Sequence, residues 1–271
     1  MKKAIPRATV KNIRTLAIDV GGTGLKASIL DAAGRMTAKR VRVATPNPCR
    51  PKVLLEALVE IAKSLPAFDR ISVGFPGVVR DGHVITAPNL GTQWWRNFPL
   101  TSELSRRLGK PARLLNDAEV QGLAVIARHG LEVVLTLGTG VGSAVFTDGR
   151  LAPHLELAHH PIHNNKTYNE YLGDAARHTH GAKKWNRRVR EMIAIVHTLL
   201  NYDVLYIGGG NAARIKGKIP DNVRLCSNDA GITGGIHLWD NSVWPVGNDG
   251  LAQNAEGTLI AMSRRSRKQH P

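Results

Sequence analysis

Eight consecutive residues, Asp19-Val20-Gly21-Gly22-Thr23-Gly24-Leu25-Lys26, put three glycines beside a carboxylate, a hydroxyl and an ammonium. Glycines leave backbone N–H groups bare, so the stretch suits an anionic oxygen cluster such as a phosphate, with Thr23 and Lys26 as further donors. Asp19 would repel that phosphate unless Mg²⁺ or a water lay between them. A carboxylate beside a phosphate cradle is the makeup of a phosphoryl-transfer site. An ordinary hairpin turn is the competing reading, but it needs fewer glycines and none of the three polar groups. No G-x-x-x-x-G-K-[ST] pattern occurs, so this is not a P-loop.

The flanking residues say how the stretch is held. Leu16-Ala17-Ile18 precedes it and Ala27-Ser28-Ile29-Leu30 follows, which predicts strand, glycine turn, strand. Arg35–Val43 alternates weakly as a third antiparallel strand. Leu54, Leu58, Ile61, Ala62 and Leu65 keep helical spacing over 51–65, with Pro51 at the start. A strand is expected over Arg70–Phe75, mostly loop over 80–100, and a short helix from Thr101, as N-cap, to Leu108. Ala112–Leu115 reads as the next strand, ending at Asn116-Asp117. That pair opens a helix carrying Val120, Leu123, Ala124 and Ala127, and so projects from a strand end. A carboxylate at a helix N-cap is routine, which is the structural alternative for Asp117.

The pattern then recurs. Val133–Leu137 and Val141–Thr147 flank Gly138-Thr139-Gly140, and Gly22-Thr23-Gly24 heads the corresponding run in the first half. Val204–Ile207 ends in Gly208-Gly209-Gly210, as Val73-Gly74-Phe75 ends in Pro76-Gly77. This predicts a two-fold duplication of a βββαβαβ unit, with two hairpins pointing into one cleft. The lobes are expected over residues 1–116 and 117–271. Within the second, 240–271 reads as loop, a helix over Gly250–Ser263 and a basic tail, packing back or disordered.

The motif D-x-G-G-T-x-x-K at 19–26 resembles the first phosphate motif of the ROK family of sugar kinases. The resemblance implies an α/β actin-like or hexokinase-like (ribonuclease H-like) ATPase fold with an interlobe cleft. It implies that Gly138, Thr139 and Gly140 form the second phosphate motif and that Gly208, Gly209 and Gly210 form the adenosine motif. A sugar hydroxyl attacking phosphorus needs a carboxylate in hydrogen-bond reach. The resemblance makes Asp117 that base and Asn116 a sugar contact. Glu156 and His159 match E-x-G-H, with Ala158 in place of the glycine, and Glu170 is matched to a further glutamate of the motif. Asn89 completes the expected sugar set. The family's cysteine-rich zinc loop is missing between His159 and Glu170, and the spacing of His154, His159, His160 and His163 matches no trusted metal motif, so no zinc is expected. Phe75-Pro76-Gly77, the Leu137–Ala144 run and the absent zinc loop resemble the polyphosphate glucokinases and polyphosphate/ATP glucomannokinases in particular. They imply glucose or a close hexose as acceptor, Mg²⁺ as cofactor, polyphosphate or ATP as donor, and a homodimer.

Composition bears on the donor. Lys plus Arg total 37 against 21 Asp plus Glu, a formal charge of +16, which attracts polyanions. Lys183, Lys184, Arg187, Arg188 and Arg190 crowd the first half of an amphipathic helix expected over 183–200. Like charges on adjacent turns repel, so a polyphosphate running over them is the functional reading and a solvated basic face the plain one. ATP stays open because the 208–210 glycines are retained. A sugar-responsive DNA-binding regulator would need a helix-turn-helix ahead of the first strand. A non-enzymatic polyanion binder leaves Asn116-Asp117 and the doubled hairpins unexplained. No secretory signal, apolar span or zinc pattern is read, and Cys49 and Cys226 are expected as reduced thiols in a cytoplasm.

Overall fold

A computed structural model of the chain describes residues 12–227 and 229–244. In chain order the first half runs β1 (Thr15–Val20), β2 (Gly24–Leu30), β3 (Val41–Ala44), α1 (Pro51–Lys63), β4 (Arg70–Phe75), and the ribbon β5 (Val79–Arg80) and β6 (His83–Val84). It continues through α2 (Thr92–Trp95), α3 (Leu100–Leu108) and β7 (Ala112–Asn116). Then come α4 (Asp117–Leu123), β8 (Leu131–Leu137), β9 (Val141–Thr147), β10 (Arg150–Leu151), and the ribbon β11 (Pro161–His163) and β12 (Lys166–Thr167). α5 (Tyr168–Leu172), α6 (Asp174–Leu200), β13 (Val204–Gly208), β14 (Val223–Leu225) and α7 (Ala230–Thr233) complete the labelled elements, and 3₁₀ turns follow over Gly234–Trp239 and Asn241–Val243.

The duplication is visible in the sheets. One has the order β3-β2-β1-β4-β7 and the other β10-β9-β8-β13-β14. In each, the first hairpin is antiparallel and the next two strands join in parallel. Element for element, β1 and β2 correspond to β8 and β9, and β4 and β7 to β13 and β14. The copies diverge where a helix links the last two strands, since α3 has only the 3₁₀ turn Ala212–Arg214 as its counterpart.

Each lobe has its own core. Leu16, Ile18, Leu25 and Ile29 pack with Leu54, Leu58, Phe75 and Trp95 in the first. Val133, Leu135, Trp185, Val189, Met192 and Val196 do the same in the second. A third cluster is built on α4, whose Ala118, Val120 and Leu123 meet Val134, Ala144 and Phe146 of the second sheet. Gly122 makes that approach possible, because a Cβ there would lie 2.5 Å from the Phe146 ring. The helix that starts at the end of the first sheet is therefore cemented to the second.

Several local expectations shift. The third strand is confined to Val41–Ala44, joined earlier only by a Leu30–Met36 bridge. The helix expected from Thr101 starts at Leu100 with Pro99 as N-cap, so Thr101 lies inside the first turn. The basic helix is preceded by a further turn from Asp174, broken at Gly181, whose φ of 73° is left-handed. After β14 the chain returns to the first lobe by residue 230. Ile232 and Ile236 cover Ala17 and Leu30, and Trp239 Nε1 donates to Ser72 Oγ at 2.9 Å. The helix expected over 250–263 and the basic termini lie outside the described residues. Among the described residues no helix is long and apolar enough to cross a membrane.

Candidate active site

β1 and β2 pair Asp19 opposite Lys26, and Lys26 Nζ donates to Asp19 Oδ2 at 2.8 Å. The crown between them closes through Gly21 N to Gly24 O at 3.0 Å, and Thr45 Oγ1 holds the Gly21 carbonyl at 2.6 Å. The second crown closes through Gly138 N to Gly140 O at 2.9 Å. It is buttressed from outside its own sheet. Asn169 Oδ1 accepts from Val141 N at 2.7 Å, and the Gly138 carbonyl accepts from Asp174 N at 2.9 Å and Asn211 Nδ2 at 3.3 Å.

Both crowns open onto one cleft of ≈ 600 Å³. Asp19, Gly21, Gly22, Thr23, Gly24 and Lys26 line one wall, and Gly138, Thr139 and Gly140 the other. Asn89, Asn116, Asp117, Glu156 and His159 line it too, as do Gly209 and Gly210.

Asn116 and Asp117 divide the labour at the start of α4. Asn116 is the N-cap: its Oδ1 accepts from Ala118 N (2.9 Å) and Glu119 N (3.4 Å), and Glu119 Oε2 accepts from Asn116 N (3.1 Å). This is a complete capping box. Asn116 Nδ2 also donates to the Gly77 carbonyl at 3.1 Å, so most of its hydrogen-bonding capacity is spent on the scaffold. Asp117, released from capping, turns to the cleft. Burial, the Asp19 carboxylate and, more weakly, Glu156 push its acid up to about 7, against the Ala118 N–H that favours the anion.

Six of the expected contact residues lie elsewhere. Glu170 is exposed and closes the capping box of α5, accepting from Thr167 N at 2.8 Å and Thr167 Oγ1 at 2.9 Å. Its neighbour Asn169 lines the cleft instead. Gly208 is buried at the end of β13, where a Cβ would meet Gln121 Oε1 at 2.6 Å, so only Gly209 and Gly210 of that trio reach the cleft. The basic helix face is not part of it either. Arg188 sits three residues after Trp185, on the buried stripe. Its Nη1 donates to the Tyr171 carbonyl at 3.0 Å, and its guanidinium lies 4.2 Å over the Tyr171 ring. Lys183, Lys184 and Arg187 are exposed outside the cleft.

Besides Lys26, three arginines line the cleft that carry no signal in the sequence. Arg42 lies opposite Lys26 across β2 and β3, over Gly24. Arg177 and Arg214 face it from the second lobe. Among the described residues no cluster of three or more His, Cys, Asp or Glu is arranged to hold a metal ion. Asp19 nevertheless offers a hard oxygen donor beside open space, which a Cβ at Gly231, 3.3 Å from Oδ2, would fill.

Comparisons agree with this geometry. The ROK family model matches residues 15–166. A Mycobacterium tuberculosis polyphosphate glucokinase is 30% identical over 247 residues, covering 84% of this chain and 92% of that protein. The crystal structure of an inorganic polyphosphate/ATP-glucomannokinase from Arthrobacter sp. strain KM superposes with a TM-score of 0.75 at 29% identity, covering 83% of this chain and 97% of that one. A Streptomyces griseus ROK glucokinase solved with glucose and AMPPNP shares the fold, with a TM-score of 0.68 at 19% identity, over 83% of this chain and 98% of that one. With the duplicated sheets, the paired crowns and the Asn-Asp helix start all in place, the chain belongs to the ROK family.

Proposed function

We propose that this sugar kinase transfers the terminal phosphoryl group of inorganic polyphosphate to the 6-hydroxyl of glucose, with Asp117 as general base. The observation that carries the reading is the meeting of both glycine crowns and a carboxylate poised near neutrality in one cleft. Glucose lies on Asn89, Glu156 and His159, with its 6-hydroxyl at Asp117. That carboxylate takes the hydroxyl proton as the oxygen bonds to phosphorus. The bond to the next phosphate breaks, leaving a chain one phosphate shorter. The N–H groups at 22–23 and 139–140, with the Thr23 hydroxyl and Lys26, stabilise charge on the transferring group. Asp19 would hold Mg²⁺, in part through water, and the ion would neutralise charge on the phosphates.

Support for polyphosphate comes from Lys26, Arg42, Arg177 and Arg214, four cations that line the cleft. A donor with a charge on every unit meets them in turn. ATP as donor is the second reading, favoured by Gly209 and Gly210, where nothing lies within 4 Å of a Cβ built at Gly210. Turnover measured with each donor against glucose, mannose and N-acetylmannosamine separates them. Turnover with ATP alone would discard the polyphosphate reading, and no turnover with any pair would discard the kinase reading.

A further inference from the structure

His154 lies just past β10, in Ala152-Pro153-His154-Leu155-Glu156, with a side chain 17% exposed. Its Nδ1 is 2.8 Å from Glu119 Oε1, and its Nε2 is 3.5 Å from Glu156 Oε2. Glu119 is the capping-box residue of α4 and holds Asn116 N with its other oxygen. A chain of polar groups thus runs from the cleft wall at Glu156, through His154 and Glu119, to the N-cap beside Asp117. Neither carboxylate can donate, so an imidazole serving both must carry a proton on each nitrogen. Burial alone would push the imidazole down, but hydrogen bonds to Glu119 and then Glu156 lift it to about 9. Nε2 is buried and has no hydrogen-bond partner, the Glu156 carboxylate 3.5 Å away being close enough to pair in charge but not yet bonded. A small inward shift of the Glu156 carboxylate would satisfy it.

We propose that His154 is a positioning residue for the acceptor: as an imidazolium it holds Glu156 in register with the helix that carries Asp117, so that a hexose bound by Glu156 is presented to the base. The inference rests on the proposed reading of Glu156 as a sugar contact. A glutamine or asparagine at 154 reaches one carboxylate and carries no charge, whereas the histidine reaches both.

The test compares the native protein with His154→Gln and His154→Asn, measuring KM for glucose, KM for polyphosphate and kcat, together with calorimetric glucose binding. The glucose KM and Kd should rise about tenfold while the polyphosphate KM stays within about twofold, the loss expected of one charge-assisted contact. A general structural role would instead lower kcat and thermal stability without separating the two substrates. Unchanged glucose affinity in a folded variant overturns the inference and leaves the kinase reading standing. A native protein that neither binds nor phosphorylates any hexose overturns the kinase reading, and the inference with it. If neither variant folds, ¹⁵N-histidine spectra of the native protein decide. Two protonated ring nitrogens near neutral pH, with the Nε2 resonance moving on addition of glucose, support the proposal; a neutral ring, or no movement, refutes it.

Discussion

A carboxylate at 117 is destabilised as an anion by the same surroundings that make it useful. Burial and the neighbouring Asp19 charge keep its proton on until about 7, far above the ordinary 3.8. As a base it must be ionised, so kcat/KM for the sugar should climb with pH through about 7, where the free enzyme loses that proton. Asp117→Asn should lower kcat roughly 10²–10⁴-fold, the usual contribution of a positioned base, and an active variant would refute the assignment. Stability carries the opposite sign. Between 3.8 and about 7 the folded protein binds a proton that the unfolded chain does not, so stability falls as pH rises through that window. Asp117→Asn abolishes this loss and should melt higher than the native protein above the window, but not below it. The pair Asn116-Asp117 was legible in the sequence, but which member caps the helix was not read. The answer was there, since Asn116 followed by Glu119 is a capping-box spacing and frees Asp117 for chemistry.

Helix capping and helix phase explain why Glu170 and Arg188 lie outside the cleft. Thr167 and Glu170 also show capping-box spacing, and that local bond holds Glu170 at the outer end of α5 while Asn169 turns inward. Glu170→Ala should therefore lower the melting temperature only slightly and leave the glucose KM unchanged. In α6 the apolar stripe runs through Trp185, Val189 and Met192, and Arg188 belongs to the same face and is buried with it. A cluster of cations counted along a sequence is not a cluster on one surface. Neutralising Lys183, Lys184 and Arg187 together should leave the polyphosphate KM within about twofold, because exposed charges outside the cleft are screened by salt.

At the scale of the molecule, the duplicated topology was legible because each copy carries its own glycine crown and flanking strands. What carried no local signature was the set of arginines that the fold gathers from distant positions. Arg42, Arg177 and Arg214 share the cleft from three separate elements, and no local pattern announces that. Replacing all three with glutamine should raise the polyphosphate KM by about tenfold or more and flatten its dependence on salt, with a smaller effect on ATP, which spans fewer phosphates. The return of the chain after β14 was equally silent, since Ile232 and Ile236 find Ala17 and Leu30 only once both lobes exist. That late crossing sets an order of assembly during translation. The half made earlier cannot cover Ala17 and Leu30 until the ribosome has released residue 236, so strands synthesised early wait for a segment synthesised late.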